Sequence, residues 1–533
     1  MDLGFGRRVA GPLGGAMAMA VLVAAGSPAL AQDKALRAVP HADLKVLDTH
    51  VGSIQITKIY SLMVYDTLFA WDEKWNVKPQ MVGSHELSAD KLTYTFKLRP
   101  GLKWHDGTKV TSKDVIPSIQ RWAKRDTMGQ KMLEFTAGFE AVDDDTFRMK
   151  MKEPYGFVEF TLGSAGGSLP VIYREKDAMT DAFTGITTTV GSGPFKFNRD
   201  AWQPGSKIVF DKNADYPARA EPADGLAGGK AVKVDRVEWI IMPDPGTTAA
   251  ALNRGEVDLW DNPAGDQIPL IEKNKDIVVS PLTPFGNMGF LRTNALFPPF
   301  NNPKARLALA YAFDQRDFQR ASTGDDERWW KVCYSFFICG TPYGTEFGSE
   351  AVQKVDLAKA RQLMQEAGYK GEKLIMITTN EIAAIGALAQ VATARLKEIG
   401  VNVDMQVNDW GSVVTRMTKK DEPEKGGWHM FTSRGTASTY HHPLTNITAV
   451  MTCDGKNWNG WPCDEEAEKL RNQFIREPDE AKRRDILNRF HARLVEVQPY
   501  ALLGNFMPLY AWRKNVDGVV KGAILAYWNI SKS

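Results

Sequence analysis

Histidine and cysteine are scarce in this 533-residue sequence, with eight of the first and four of the second. Metal and thiol catalysis need such residues at set spacings, and those spacings are missing. There is no H-E-x-x-H, no G-x-S-x-G, no phosphate-binding P-loop, and neither cysteine pair has C-x-x-C spacing. Charge of one sign is not in excess either. The formal net charge is +2, which argues against nucleic-acid binding, since that wants a basic surplus. Beyond the N-terminus no apolar run approaches membrane-spanning length. What remains is ordinary for a water-soluble globular chain, 43% hydrophobic and 24% charged. Its length exceeds what one hydrophobic core usually serves, so two or three bodies are expected.

The N-terminus reads as a secretory signal. Arg7-Arg8 precede an Ala-rich weakly apolar stretch from Val9 to Gly26, and Ala29-Leu30-Ala31 before Gln32 is an A-x-A cleavage pattern. Cleavage is expected after Ala31, and twin-arginine export is the less fitting route because Val9-Ala10-Gly11 lacks the apolar pattern. No cysteine follows the cleavage point, so the exported chain is expected free of a lipid anchor, in the periplasm. Four cysteines allow three pairings. In an oxidising compartment the local pairs Cys333 with Cys339 and Cys453 with Cys463 are expected, and a zinc site is the alternative.

One stretch organises the chain, Leu92 to Val115. Thr93, Thr95 and Lys97 alternate with Tyr94, Phe96 and Leu98, the pattern of a half-buried strand. Pro100-Gly101 and Asp106-Gly107 are turn dipeptides, and Thr111 with Asp114 reads as a helix start with a hydroxyl cap and an acid three residues on. His105-Asp106 reads as structural rather than as an acid-base pair. The whole run, L-T-Y-T-F-K-L-R-P-G-L-K-W-H-D-G through T-S-K-D-V, closely resembles the signature of the extracytoplasmic solute-binding proteins of peptide, nickel and oligosaccharide ABC importers, the dipeptide- and oligopeptide-binding family 5.

Further landmarks resemble the same family. They include Ala141 to Phe147 as a hairpin, Gly191-Ser192-Gly193-Pro194-Phe195, Pro204-Gly205, Asn253 to Asp258 and Pro298-Pro299-Phe300 with Arg306 to Asp314. The second cysteine pair resembles a disulfide loop of dipeptide-binding relatives. Local patterns add a first strand over Leu44 to Leu47, a helix over Ile59 to Phe69, and a β-α-β run over Leu374 to Thr379, Ile385 to Ile399 and Val401 to Val407. They also add a helix from Pro478 to Val497, then strands near Tyr500 and Trp512 that return to the first lobe.

The resemblance implies an α/β, periplasmic-binding-protein-like fold (class II, cluster C): two α/β lobes around a cleft, plus an extra α+β domain. The expected layout is signal peptide 1–31, first lobe 32–65, 185–285 and 505–533, extra domain 66–184, and second lobe 286–504. It implies no catalytic residues, no cofactor and no metal. The implied partners are a small solute (peptide, modified peptide, opine-like compound or oligosaccharide) and the permease and ATPase subunits of an importer. Trp410, after Asp409, matches a Trp that walls the pocket in relatives. Gly435 to Pro443 matches the motif whose Asp pairs with a peptide ammonium, but Thr439 stands at the Asp position and Thr436 at the Trp position. A hydroxyl lacks the charge of that contact, which disfavours plain dipeptides. Tyr440 lies in the same run, and Arg434 and Arg416 nearby can hold a carboxylate bidentately. Family position adds Gln55, at the cleft edge, with Asp261, Asn287, Met288 and Asn505. The adjacent His441-His442 is expected on a loop beside the cleft or in solvent, with metal contact as the sharper option. The rivals are a sensory receptor or chaperone on the same lobes and a secreted hydrolase, for which no nucleophile or metal motif speaks.

Overall fold

The computed structural model describes residues 34–52, 54–477 and 479–533. The signal segment with its cleavage point and the helix start at Pro478 lie outside the described residues. Two large sheets dominate. The first runs Ile277–Pro281, Leu509–Arg513, Leu259–Asp261, Ala35–Val39, Arg236–Ile240, Lys207–Lys212 and Phe195–Gln203 in spatial order. The second runs Trp330–Lys331, Tyr500–Phe506, Asn287–Thr293, Met430–Gly435, Lys373–Thr378 and Asn402–Val407. The expected β-α-β run is there: Lys373–Thr378 and Asn402–Val407 are parallel neighbours joined by helix Ala383–Glu398. A smaller four-stranded antiparallel sheet is built by Val82–Leu87, Thr93–Leu98, Thr146–Met151 and Thr136–Ala141.

The organising stretch forms as its residues dictate. Tyr94, Phe96 and Leu98 are buried while Lys97 faces water. Thr111 and Asp114 form a reciprocal capping box at the start of helix Ser112–Ala123, which satisfies amides that the first turn leaves without partners. His105 does not act with Asp106. Its Nδ1 accepts from the Gly191 amide and its Nε2 meets the Gly193 carbonyl, and burial holds the ring neutral, its pKa pushed down to about 4. Gly191 and Gly193 need to be glycine because they press on the end of helix Gln55–Val64. A Cβ on Gly191 would stand 1.8 Å from the Val64 carbonyl oxygen.

Helix Ser112–Ala123 carries Arg121 into the interior. Its guanidinium meets Asp48, with Nη2 2.7 Å from Oδ2, and both side chains are 1% exposed. Asp48 also accepts from Tyr173 Oη, the Ile186 amide and the His50 amide. A second sealed pair, Lys230 with Asp66 at 2.8 Å, ties another long-range contact. Both cysteine pairs close locally, Cys333–Cys339 and Cys453–Cys463, and no described cysteine is free. No helix among the described residues is long and apolar enough to cross a membrane.

Three expectations fail and a fourth holds only in part. The first strand is Ala35–Val39, not Leu44 to Leu47, because pairing with Arg236–Ile240 and Leu259–Asp261 outweighs a four-residue alternation. The early helix is Gln55–Val64 and stops before Phe69, which starts a strand. Tyr500–Phe506 pairs with Asn287–Thr293, so the chain stays in the second large sheet through Phe506. His441 and His442 lie on the irregular segment after helix Ala437–Tyr440, but not in solvent. Both are buried among Trp71, Trp75, Phe157, Phe160, Tyr343 and Phe474.

Two outcomes follow for stability. Arg121→Met strands a buried carboxylate and should cost about 3–5 kcal/mol in urea unfolding, whereas Arg121→Met with Asp48→Leu should recover most of the loss. Recovery of nothing would show that the hydrogen bonds to Asp48, not the charge pairing, carry the effect. Burial pushes His50 and His441 down to about 3 and His105 and His491 down to about 4. These rings are neutral when folded and take protons only when unfolded. Their contribution is therefore complete above the unfolded value of 6.5 and is lost as pH falls below it. Each should remove about 1.4 kcal/mol per pH unit in that window, so unfolding free energy measured from about pH 7 to about pH 5 should fall steeply.

Candidate functional site

The parallel strands Ala35–Val39, Arg236–Ile240 and Leu259–Asp261 end on one side of the first large sheet. Ligands of open α/β sheets bind beyond such carboxyl ends. There a cavity of about 1040 Å³ opens between the two large sheets. Pro40, His41, Met242, Trp260 and Asp261 line one wall. Glu381, Ile382, Arg434 and Phe506, with the segment 320–326 and Trp329, line the other.

The walls are joined by two short connections, 282–286 and 507–508. A third contact reaches across. Trp329 packs on the small core of the first sheet beside Met242, Val279 and Met507. Its carbonyl accepts from the Met507 amide, and Arg328 meets Glu272 at 3.3 Å.

Arg434 is the unusual charge. It lies on Met430–Gly435 opposite Gly289, and its guanidinium stacks 3.1 Å from the Phe506 ring centre. Its Nε is buried without a partner, and no carboxylate pairs with it among the described residues. Burial pushes its pKa down to about 9, still cationic at neutral pH. A half-buried cation without a carboxylate partner is costly, and an anion on its unpaired guanidinium relieves that cost. The other ionic groups of this cavity are mostly engaged: Arg320 with Glu327, Asp326 with Arg328, and Glu381 with the Trp410 amide.

Residues 76–458 match the family model described as bacterial extracellular solute-binding proteins, family 5, middle region. The chain belongs to this family. A probable peptide ABC transporter periplasmic-binding protein of Sinorhizobium fredii is 37% identical over 507 residues, covering 95% of this chain and 94% of that one. The glutathione-binding protein GsiB of Escherichia coli K12 is 25% identical, over 75% and 74% of the two chains. Among solved structures, the agropinic acid complex of AgaA from an Agrobacterium superposes with a TM-score of 0.76 at 23% identity, covering 94% and 99%. A Pseudoalteromonas dipeptide-binding protein in complex with Met-Leu also gives 0.76, at 19% identity and 94% and 100% coverage. These likenesses carry the periplasmic-binding-protein-like α/β fold.

In this family 5 protein the residues expected at the site scatter. Asp261 and Arg434 line the large cleft, on opposite walls. Thr439 lines a second cavity of about 330 Å³ with His50, Asp126 and Gly166 to Ser168, and its hydroxyl donates to the Gly166 carbonyl. Asp126, the acid beside it, is engaged by the amides of Met128, Gly129 and Ser168. Arg416 faces neither cavity; it donates to the Gly426 and Gly427 carbonyls and to Gln406. Trp410 starts a helix at the rim, its amide bonded to the cleft residue Glu381. Asn287 accepts from the Ala437 amide and so shapes the loop between the cavities. Met288 and Tyr440 are core, and Gln55 opens a helix and lines neither cavity. Asn505 is 1% exposed with both amide atoms unpartnered, one residue from Phe506.

Sequence reading missed His41, Trp260, Trp329 and Phe506. Nothing local marks them, since each gains its place only when distant segments meet. His441-His442 carries no metal signal: among the described residues the one three-ligand grouping is Cys333, Cys339 and Glu346, and its cysteines form a disulfide.

Removing the cross-cleft contact should loosen the lobes. Trp329→Ala with Glu272→Gln should raise the radius of gyration of the ligand-free protein in small-angle X-ray scattering, while far-UV circular dichroism stays unchanged. Equal scattering curves would mean that the two connections alone set the lobe angle.

Proposed function

We propose that this chain is the extracytoplasmic capture component of an ABC importer for a small peptide-like solute carrying a carboxylate. Its first lobe is built on the described chain from Lys34 to 65, on 185–281 and on the chain from Leu509, its second on 287–506, with 66–184 as the extra domain. Export through the N-terminal signal, cleaved after Ala31, brings it to the periplasm. The solute enters the large cleft, bridges both walls, and favours the closed form by binding it better than the open one. The closed form then docks on the permease, whose ATPase drives uptake. No step requires chemistry on the solute.

One observation carries the anionic preference: Arg434, stacked on Phe506 and without a carboxylate partner, faces the cleft. The peptide-like class draws on the Sinorhizobium and GsiB relatives, whose names specify peptide and glutathione. Thr439, tied to Gly166, offers no charge to a free ammonium, and Asp126 has its oxygens occupied. Both line the second cavity; in the large cleft itself Asp261, Glu272, Asp326 and Glu381 are engaged by His41, Arg328 and the Trp410 amide, which supports N-blocked or modified solutes over plain dipeptides.

The test is calorimetric titration of the chain from Gln32 with N-acetyl-Ala-Ala and with Ala-Ala. The acetylated peptide should bind more tightly. At about a hundred times its Kd it should add about 2.7 kcal/mol of stability, visible as a thermal shift of several degrees. Arg434→Gln should weaken it by about 10- to 100-fold. Tighter binding of Ala-Ala, or indifference to Arg434→Gln, would overturn the proposed solute chemistry.

A further inference from the structure

His41 follows the strand Ala35–Val39 and faces the cleft from the wall opposite Arg434. Its Nδ1 stands 2.5 Å from Asp261 Oδ2, although 220 residues separate the two. A carboxylate at Nδ1 keeps a proton there and turns the ring so that Nε2 points the other way. Nε2 has no partner among the described residues, and the side chain remains 22% exposed while that of Asp261 is 4% exposed. Asp261 itself is fixed from behind, on a strand that pairs it with Tyr510.

We propose that His41, oriented by Asp261, is the anion contact of the first lobe, so that the solute carries two acidic groups, one for each wall. This rests on the reading of the cleft given above and deepens it to a dianionic solute. Arg434 takes one carboxylate through its free edge, and the His41 imidazolium takes the other through Nε2–H. A solute gripped this way touches both charges only when the lobes are closed, which is what a closing ligand must do. Asp261 is a positioning residue: it sets the tautomer and keeps the charge on the ring.

The ring's environment supports a proton-linked contact. Burial works to lower its pKa, but the charge of Asp261 and the hydrogen bond to it outweigh burial, and the net shift is upward. The other groups near the pair are Tyr510 and Tyr527, both buried with their phenols held neutral. Across the cavity stand Glu381, Asp325, Asp326, Arg320 and Arg434, with Asp266 and Glu272 from the first lobe; Arg320 and Asp326 are paired with Glu327 and Arg328. The acids among them favour the imidazolium and Arg434 opposes it, until a bound carboxylate neutralises the guanidinium. Binding of a second acidic group should therefore draw a proton onto His41 wherever the ring is not already charged.

The probes are N-acetyl-Ala-Glu and N-acetyl-Ala-Gln, which differ by one charge, titrated calorimetrically. At about pH 6 the Glu peptide should bind about tenfold more tightly, and at about pH 8.5 the advantage should shrink to about twofold. His41→Gln should remove the advantage at both pH values. His41→Lys should restore the advantage and hold it at the higher pH. The His41 ring resonances should titrate above the free-histidine value in wild type and at a lower pH in Asp261→Asn, which a purely structural Asp261 would not cause. Persistence of the Glu preference in His41→Gln, or its absence in wild type, overturns the inference, and the proposed function survives if Arg434→Gln still weakens both peptides. If neither peptide binds, or Arg434→Gln changes nothing, the proposed function fails and takes this inference with it.

Discussion

The buried pair Asp48–Arg121 is the contact that fixes the smaller domain against the chain of the first large sheet, and with it one wall of the cleft. Asp48 sits just after the first strand of one large sheet, Arg121 on a helix of the smaller domain, and Ile186 where the chain returns. Charges taken this far from water need partners on most of their polar atoms, and Arg121 Nε is left without one while both Nη atoms are engaged. Here the carboxylate collects a guanidinium, a phenol and two backbone amides. Arg121 reaches Asp48 because its helix starts where the Thr111–Asp114 box sets it. The family signature is thus a scaffold element. It contributes no side chain to the large cleft, and its effect on the solute passes through the placement of the first sheet.

Much of this was legible locally. The strand Thr93–Leu98, the capping box, the hairpin around Asp143 to Asp145 and the cysteine pairings all involve residues within a few positions of one another. The cleft was legible only in part. Asp261 was named from position in the family layout and Arg434 for a guanidinium's fit to a carboxylate, but Arg416 looked equally apt and is consumed by carbonyls ten residues away. His441-His442 misled for the opposite reason. Two adjacent imidazoles suggest exposure, yet their neighbours Trp71 and Phe160 come from hundreds of residues upstream and enclose them. No spacing rule reports such a meeting, and none would have paired His41 with Asp261.

The cleft is not simply a basic pocket. Acids outnumber bases along its walls, but most are tied to a neighbour, so the groups left to meet a solute differ from the composition of the lining. Selectivity in such a site comes from which hydrogen-bonding edges stay unused after folding, since an unused buried edge costs free energy until something occupies it. Arg434, whose Nε is buried without a partner, holds one such edge, and His41 offers a more exposed unused nitrogen across the cleft.

The two connections between the large sheets run side by side. Pro281 pairs with Leu509 on one side of the crossing, and Asn287 pairs with Phe506 on the other. The lobes therefore share one antiparallel ribbon cut by a short unpaired gap. A ribbon bends readily across its face but resists shear and in-plane rotation, because those motions break ladder bonds at both ends. The lobes can then swing like a book on its spine, and Arg434 and His41 return to the same facing positions at every closure. The edge away from the spine is therefore where the cleft widens most for a given swing, and the spine side changes least.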